Sequence, residues 1–265
     1  MAGRLQDKVA IVIGAGQTPG DTIGNGRAMS VLFAREGAKV LLVDRNLEAA
    51  RETQAQIEQE GGQSAPFQAD VTQSEDAQKV VDKCLELFGR IDVFVYNVGT
   101  GEGRNPLDMP ESTWDTVFDV NLKGVFLMYR AVLPVMVKQE SGVLINTSSI
   151  AAISSTPMLA YRSSKAGMNA LTQSVAVMYA GKGIRANAIM PGLMNTPMAI
   201  EGLVRALGMD KQELIRRRSE RVPLKGGMGT AWDVAYAALF LASDEAKFIS
   251  GAILPVDGAQ SARVG

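Results

Sequence analysis

The chain is expected to adopt an α/β fold: a doubly wound parallel sheet with helices on both faces. Three observations predict it. Short runs rich in β-branched residues are apolar without alternation, as strands buried on both faces must be. Between them lie stretches with helical apolar spacing. Glycine or proline marks many of the junctions. Strand and helix units in series specify parallel strands joined by right-handed crossovers. The chain has 265 residues and no linker, repeat or low-complexity segment, so residues 1–265 are expected to form a single domain.

Val9-Ala10-Ile11-Val12-Ile13, closed by Gly14, is the first strand. A helix over about Gly26 to Glu36 carries Ala28, Val31 and Leu32 on one face, and Gly37 ends it. Lys39 to Val43 is the second strand, followed by a polar helix over Leu47 to Glu60 that Gly61-Gly62 stops. A strand near Ser64–Ala69, a helix near Ser74–Phe88 and a strand at Ile91–Val95 come next. A helix pair covers Glu111 to Lys138, where Pro134 implies a local kink or break. The strand Gly142–Asn146, a long helix over Ala160–Ala180 and the strand Ile184–Ile189, ending at Pro191-Gly192, continue the alternation. A helix near Trp232–Leu241 and a strand near Ala252–Val256 close it. Residues 193–229 break the rhythm: this long segment lacks a strand and reads as a lid over a substrate site, with Arg216-Arg217-Arg218 as solvated surface.

Composition removes whole classes of function. The chain is 46% hydrophobic and 21% charged, with 27 basic and 28 acidic residues and a net charge of −1, so no partnership with nucleic acid or an anionic membrane is expected. No apolar run reads as a bilayer span and the N-terminus has no signal-peptide character, so a cytoplasmic location is expected. With no histidine, Ser-His-Asp and Cys-His triads and His-ligated metals are excluded, and no metal site is expected. The one cysteine, Cys84, falls on the helical apolar face of Val80, Val81, Leu85 and Phe88, as a buried small hydrophobe would.

Proton chemistry must therefore come from Tyr, Lys, Ser or carboxylates. Tyr161 and Lys165 are spaced one helical turn apart, on one face. A phenol titrates near pH 10, and a fixed positive charge beside it is expected to favour the phenolate and lower that value. Hydroxyls lie just upstream in Asn146-Thr147-Ser148-Ser149. Gly14-Ala15-Gly16 after the first strand and Gly24-Asn25-Gly26 at the start of the helix would let backbone approach a pyrophosphate at the helix N-terminus. Residues Gln17 to Thr22 lengthen this turn beyond the usual dinucleotide spacing. Asp44, at the end of the second strand, suits the ribose hydroxyls of NAD and repels a 2′-phosphate. Two like charges about 4 Å apart cost of order 4 kcal/mol at an effective dielectric near 20. Arg45 beside it could neutralise such a phosphate, but the Asp44 carboxylate puts NAD ahead of NADP.

At this point the chain closely resembles the short-chain dehydrogenase/reductases over essentially its whole length. The matching elements are the glycine turn, Asp70-Val71, Asn97-Val98-Gly99, Asn121-Leu122-Lys123-Gly124, Asn146 to Ser149, Tyr161 with Lys165, Pro191 to Thr196, and Pro255-Val256-Asp257-Gly258. The Tyr-x-x-x-Lys form resembles the alcohol/ketone branch rather than the enoyl reductases. The resemblance implies a Rossmann fold and a set of roles. Tyr161 would be the general acid/base, Lys165 would lower its pKa and bind the nicotinamide ribose, a serine would hold the substrate oxygen, and Asn121 would fix a water linking Lys165 to solvent. Gly14, Gly24, Asn25 and Gly26 would meet the pyrophosphate and Asp44 the ribose. Asp70 and Val71 would flank adenine, Asn97 and Gly99 the adenosine-side backbone, and Met194 with Thr196 the carboxamide, with Pro191 and Gly192 also meeting the cofactor. Counting forward from the strand selects Ser149 as the serine, and counting back from Tyr161 by the family's usual interval selects Ser148. Ser149 is preferred because strand register is harder to shift than loop length.

Tyr96-Asn97-Val98-Gly99 departs from the family's usual Asn-Asn-Ala-Gly and is expected to add bulk beside the cofactor. The activity implied is NAD-dependent interconversion of a secondary alcohol and its ketone. An NADP-linked carbonyl reductase and a non-catalytic cofactor-binding sensor of the same fold are the alternatives. Pocket walls are expected from Thr100–Leu107, Ile150–Met158 and 193–229, with apolar Ile150, Ile153, Met158, Leu193 and Met198 suiting a medium-sized, partly hydrophobic small molecule. A homotetramer is expected, because family members commonly pair through helices matching Asn121–Lys138 and Ala160–Ala180. The second of these carries Ala166, Met168, Leu171, Val175, Val177 and Met178 around more than one face.

Overall fold

The computed structural model describes residues 3–101, 105–154 and 156–263. Seven parallel strands run in the order β3-β2-β1-β4-β5-β6-β7: β1 Val9–Ile13, β2 Lys39–Asp44, β3 Gln63–Gln68, β4 Val93–Tyr96, β5 Gly142–Thr147, β6 Ile184–Pro191 and β7 Ile253–Val256. The order reverses between β1 and β4, which pair with Ala10 opposite Val93 and Ile13 opposite Tyr96. Pro66 lies in β3, an edge strand, where a missing backbone N–H breaks no ladder.

The strands are apolar on both faces because each face has its own helical layer. Ala10, Val12, Val40 and Leu42 pack with α1 (Asn25–Arg35), α2 (Leu47–Gln59) and α9 (Ala231–Ala242). Val9, Ile11, Ile13, Leu41 and Val43 face the opposite way, against α3 (Ser74–Phe88), α5 (Gly124–Gln139) and α6 (Leu159–Tyr179). Cys84 is fully buried in that second layer, and burial pushes its thiol up to about 12, so it stays protonated.

Two expectations change. The helical stretch does not break at Pro134, which sits inside α5. Its irregularity falls earlier, where α4 (Glu111–Phe118) passes into α5 through a π turn at Asp119–Lys123. The resulting helix, Glu111–Gln139, is also long and apolar enough to cross a membrane by length and composition, although no single apolar run in the sequence suggested it. Val125, Leu127, Met128, Val132 and Met136 of this helix are buried against the sheet.

Residues 193–229 form two helices, α7 (Pro197–Leu207) and α8 (Lys211–Ser219), and no named strand. The two ends of the excursion are clamped. Met194 bridges Gly229, the Asn195 N–H donates to the Gly229 carbonyl at 2.8 Å, and the Gly229 N–H donates to the Leu193 carbonyl at 3.2 Å. In α8, Arg216 and Arg217 pair with Glu213, and Arg216 also pairs with Glu220, as solvated surface, whereas Arg218 is half-buried with its Nε 3.4 Å from the Met228 sulfur, contrary to expectation.

Candidate active site

The chemistry-bearing residues collect at the carboxyl ends of the strands, beside the point where strand order reverses. That is where open α/β sheets bind ligands. Gly14 follows β1 with a positive φ of 79° that glycine adopts without strain. Gly26 is required for a different reason: a Cβ there would lie 1.8 Å from the Gly14 carbonyl oxygen. Asn97 ties this turn to β4 by donating its Nδ2 to the same carbonyl at 3.2 Å.

Asp44 ends β2 facing the turn. Its Oδ2 accepts from the Gly16 N–H and its Oδ1 from the Asn46 N–H, each at 2.9 Å. Gly16 must be small here, since a Cβ would lie 2.8 Å from the Asp44 Oδ2. The lengthened turn is closed by Gln17, whose Oε1 accepts from the Gly24 N–H at 2.9 Å. Gly24 is the cap residue of α1, and the Asn25 Oδ1 beside it is buried without a hydrogen-bond partner. A backbone cradle free of side chains and a helix N-terminus fit a dinucleotide with its pyrophosphate at the turn and its ribose near Asp44.

Across the switch point, Ser148 and Ser149 follow β5 and separate in role. The Ser148 hydroxyl is buried and donates to the Lys165 carbonyl at 3.3 Å, so it is spent on the helix backbone. Ser149 caps a short helical turn, accepting from the Ala151 N–H at 3.1 Å, and its hydroxyl is the one that acts on Tyr161. Tyr161 and Lys165 lie one turn apart on α6, with the Lys165 Nζ 5.8 Å from the centre of the Tyr161 ring. Lys165 is only 3% exposed, and its Nζ donates to the Thr147 carbonyl at 2.8 Å.

The electrostatics of this pair differ from the sequence expectation. Burial pushes the Tyr161 phenol above its ordinary value, and the Ser149 hydroxyl pulls it part of the way back. Burial alone brings Lys165 down to about 7, so its charge is not fixed at neutral pH. Desolvation, which a sequence does not display, opposes the lowering that a nearby ammonium exerts.

Asn121 lies in the π turn, fully buried. Its Oδ1 accepts from the Thr100 N–H at 2.8 Å, while its Nδ2 donates to the Thr100 carbonyl and to the Ser164 Oγ, each at 2.9 Å. Gly99 sits between the two groups: a Cβ there would lie 3.3 Å from the Lys165 Nζ and 3.5 Å from the Asn121 Oδ1. Gly101 adjoins Met158 and the Tyr161 ring, which places part of two expected pocket walls beside the phenol. Glu102, Gly103, Arg104 and Ser155, also in those walls, lie outside the described residues. Ile153 and Met198 are exposed.

The remaining expected contacts flank this centre. The Asp70 Oδ1 is engaged by the Thr72 N–H at 2.9 Å and the Thr72 hydroxyl at 2.8 Å, and Val71 is buried next to it. Pro191 ends β6, Gly192 packs against Asp257 and Gln260, and Met194 and Thr196 are buried near the start of the 193–229 segment. Among the described residues, no three His, Cys, Asp or Glu side chains cluster as a metal site requires.

Thr100, Thr147, Ser164, Gly16 and Gln17 all support the site, although the sequence offered them only as members of longer runs and gave none a role of its own. Thr100 and Thr147 act through backbone atoms, which leave no trace in residue type. Gly16 lay in view within the glycine cluster. Tyr96 departs from the expected placement: it is fully buried in the helical layer instead of beside the cofactor turn. Val98 takes that place, its Cγ2 3.0 Å from where a Cβ on Gly14 would lie.

The chain is similar to several known proteins. The family model described as enoyl-(acyl carrier protein) reductase matches residues 21–259. The 3β-hydroxysteroid dehydrogenase 1 of Eggerthella lenta is 40% identical over 258 residues, 96% of this chain and 94% of that protein. The 3-oxoacyl-(acyl-carrier-protein) reductase of Thermotoga maritima is 36% identical over 260 residues, 96% of this chain and 98% of that one. Among solved structures, carveol dehydrogenase from Mycobacterium avium in complex with NAD superposes with a TM-score of 0.91 at 28% identity, covering 98% of this chain and 100% of that one.

Proposed function

The chain belongs to the short-chain dehydrogenase/reductase family of oxidoreductases, and we propose that it interconverts a secondary alcohol and its ketone with NAD as the hydride carrier. The observation that carries this reading is the convergence of Ser149, Tyr161 and Lys165 at the start of α6. A bound nicotinamide dinucleotide would supply the hydride acceptor or donor.

The chain's residues would do the rest. The Ser149 hydroxyl would hold the substrate oxygen against the Tyr161 phenol. The Tyr161 oxygen would take the alcohol proton during oxidation and return it to the ketone oxygen during reduction. Lys165, desolvated and poised near neutrality, would gain polar partners from the nicotinamide ribose. It would then hold the phenolate by its positive charge, and Asn121 would order water between Lys165 and solvent. Gly14, Gly24, Asn25 and Gly26 would receive the pyrophosphate and Asp44 the adenosine ribose. Asp70 and Val71 would flank adenine, Asn97 and Gly99 the adenosine-side backbone, and Met194 with Thr196 the carboxamide, with Pro191 and Gly192 also meeting the cofactor. Residues 193–229 would act as the substrate lid.

The Asp44 carboxylate supports NAD over NADP, while exposed Arg45 keeps an NADP-linked reductase as the second reading. For assembly we propose a homotetramer. An open apolar groove of about 520 Å³, lined by Phe118, Leu122, Phe126, Gly167 and Leu171, lies along the π turn, α5 and α6 and supports pairing of those helices.

A panel of secondary alcohols and ketones, assayed by absorbance of reduced nicotinamide with each cofactor, tests the proposal. Turnover of an alcohol with NAD is expected. Absence of turnover across the panel with both cofactors, despite measurable cofactor binding, would favour the sensor reading instead.

A further inference from the structure

Tyr96 is the last residue of β4 and is fully buried. Its hydroxyl donates to the Val120 carbonyl at 2.5 Å, inside the π turn and directly before Asn121 in the chain. The turn is closed by the Gly124 N–H donating to the Asp119 carbonyl, a wider ring than an α-helix makes and one that needs support from outside the helix. Gly124 leaves the notch that the phenol fills: a Cβ there would lie 2.3 Å from the Tyr96 oxygen and 3.2 Å from the Val71 Cγ2. On the other flank, the Asn121 amide is bonded to both backbone groups of Thr100 and to the Ser164 Oγ, which in turn donates to the Tyr161 carbonyl at 2.8 Å. The amide fixes Asn121 laterally. The depth of its backbone is set by the turn, and the turn rests on Tyr96.

We propose that Tyr96 is a positioning residue for the proton-handling group: with Gly124 as its socket, it holds the π turn so that Asn121 stands at the correct depth beside Gly99 and Lys165. The inference rests on the oxidoreductase reading above. It also gives a reason for the tyrosine here. A shorter side chain at the end of β4 would leave the Val120 carbonyl without this donor, in a layer where water does not replace it.

The test uses the full chain and an alcohol that it oxidises with NAD, in Tyr96→Phe, Gly124→Ala and the double variant. Tyr96→Phe is expected to lower kcat by about 10- to 100-fold, the scale of a small misplacement near the chemistry. The KM for NAD should stay within about twofold, because the adenosine contacts are untouched. The pH at which kcat rises should move by about one unit. Amide exchange of residues 119–126, read by mass spectrometry, should speed up while that of β1 and α1 does not. Gly124→Ala should reproduce the loss alone yet add little to Tyr96→Phe, where the vacated hydroxyl leaves room for the new methyl.

A Tyr96→Phe protein with wild-type kcat and pH profile would reduce Tyr96 to packing, whatever its melting temperature. Unchanged exchange at 119–126 would remove the strut itself. Independent, additive losses in the double variant would also overturn the socket. If the wild type turns over no alcohol or ketone, the oxidoreductase reading falls, and the exchange measurement still decides whether Tyr96 supports the turn.

Discussion

Lys211 and Asp21 meet across 190 positions of sequence: the ammonium of α8 donates to the Asp21 carboxylate at 2.7 Å and, on its other side, to Glu201 of α7 at 2.5 Å. Asp21 belongs to the lengthened glycine turn, and Gly20 beside it packs so closely on Pro197 that a Cβ would lie 2.9 Å from the proline ring. The ammonium pulls the Asp21 carboxyl below its usual range, as a formed ion pair should. The extra residues of the turn thus reach α7 and α8, tying the segment expected to meet the cofactor to the one expected to cover the substrate.

Lys211→Ala should raise KM for both cofactor and substrate by about two- to fivefold, with kcat little changed, as loss of partly exposed ion pairs allows. Salt should raise the wild-type KM toward that of the variant and leave the variant nearly insensitive. A variant with wild-type KM at low salt would show that the contact does not couple turn and lid.

Tyr161→Phe should lower kcat by about 10²–10⁴, since that is what positioned acid–base help is worth. NAD binding, measured by fluorescence titration, should be nearly unchanged because the phenol lies away from the glycine turn. Retention of more than about half the wild-type kcat would remove Tyr161 from the acid/base role.

Asp44→Ala should weaken NAD and relieve the exclusion of NADP. The carboxylate would be lost both to the ribose and to the Gly16 and Asn46 N–H groups that now orient it. Comparison of kcat/KM for the two cofactors decides it. A wild type that already prefers NADP would assign the ribose site to Arg45.

Lys165→Met should abolish turnover and yet raise the melting temperature below pH 7. The native ammonium titrates at about 7 instead of its ordinary 10.5, so between those values the unfolded chain holds a proton that the native state has released. Stability of the wild type should therefore rise with pH across that window, while the cost of the buried charge is fully present below it. The variant's advantage should exceed about 2 °C at pH 6 and narrow toward pH 10, offset in part by the unpaired Thr147 carbonyl. Parallel melting curves with no pH-dependent gap would contradict the lowered lysine.

Assembly is tested at the apolar groove. Light scattering at micromolar concentration should give a particle of four chains, and Phe126→Glu, a change at a half-exposed ring on α5, should split it. A wild-type particle with the mass of one chain would remove the tetramer.

Much of this protein could be read from its residues in order. The central strand runs Val9–Ile13, Val40–Val43 and Val143–Ile145 are apolar without alternation, as strands in a sheet covered on both faces are. Gly37 and Gly61 ended helices where they were expected to, because a positive φ is a local property. Tyr161 and Lys165 were legible as a pair because helical spacing alone puts them on one face.

Tertiary structure decided what depended on depth and on backbone. Ser149 and Ser148 are the same residue type in adjacent positions, and only the packing of β5 against α6 turns one to the phenol and the other to the Lys165 carbonyl. The shifts of Tyr161 and Lys165 follow from desolvation, which is set by everything folded around them. The π turn that carries Asn121 is tied to β4 by a hydrogen bond from Tyr96 to a carbonyl 24 residues away. Periodicity records which way a side chain points within its own element. Which groups meet across elements, and how much water is left between them, comes into being only when the layers close.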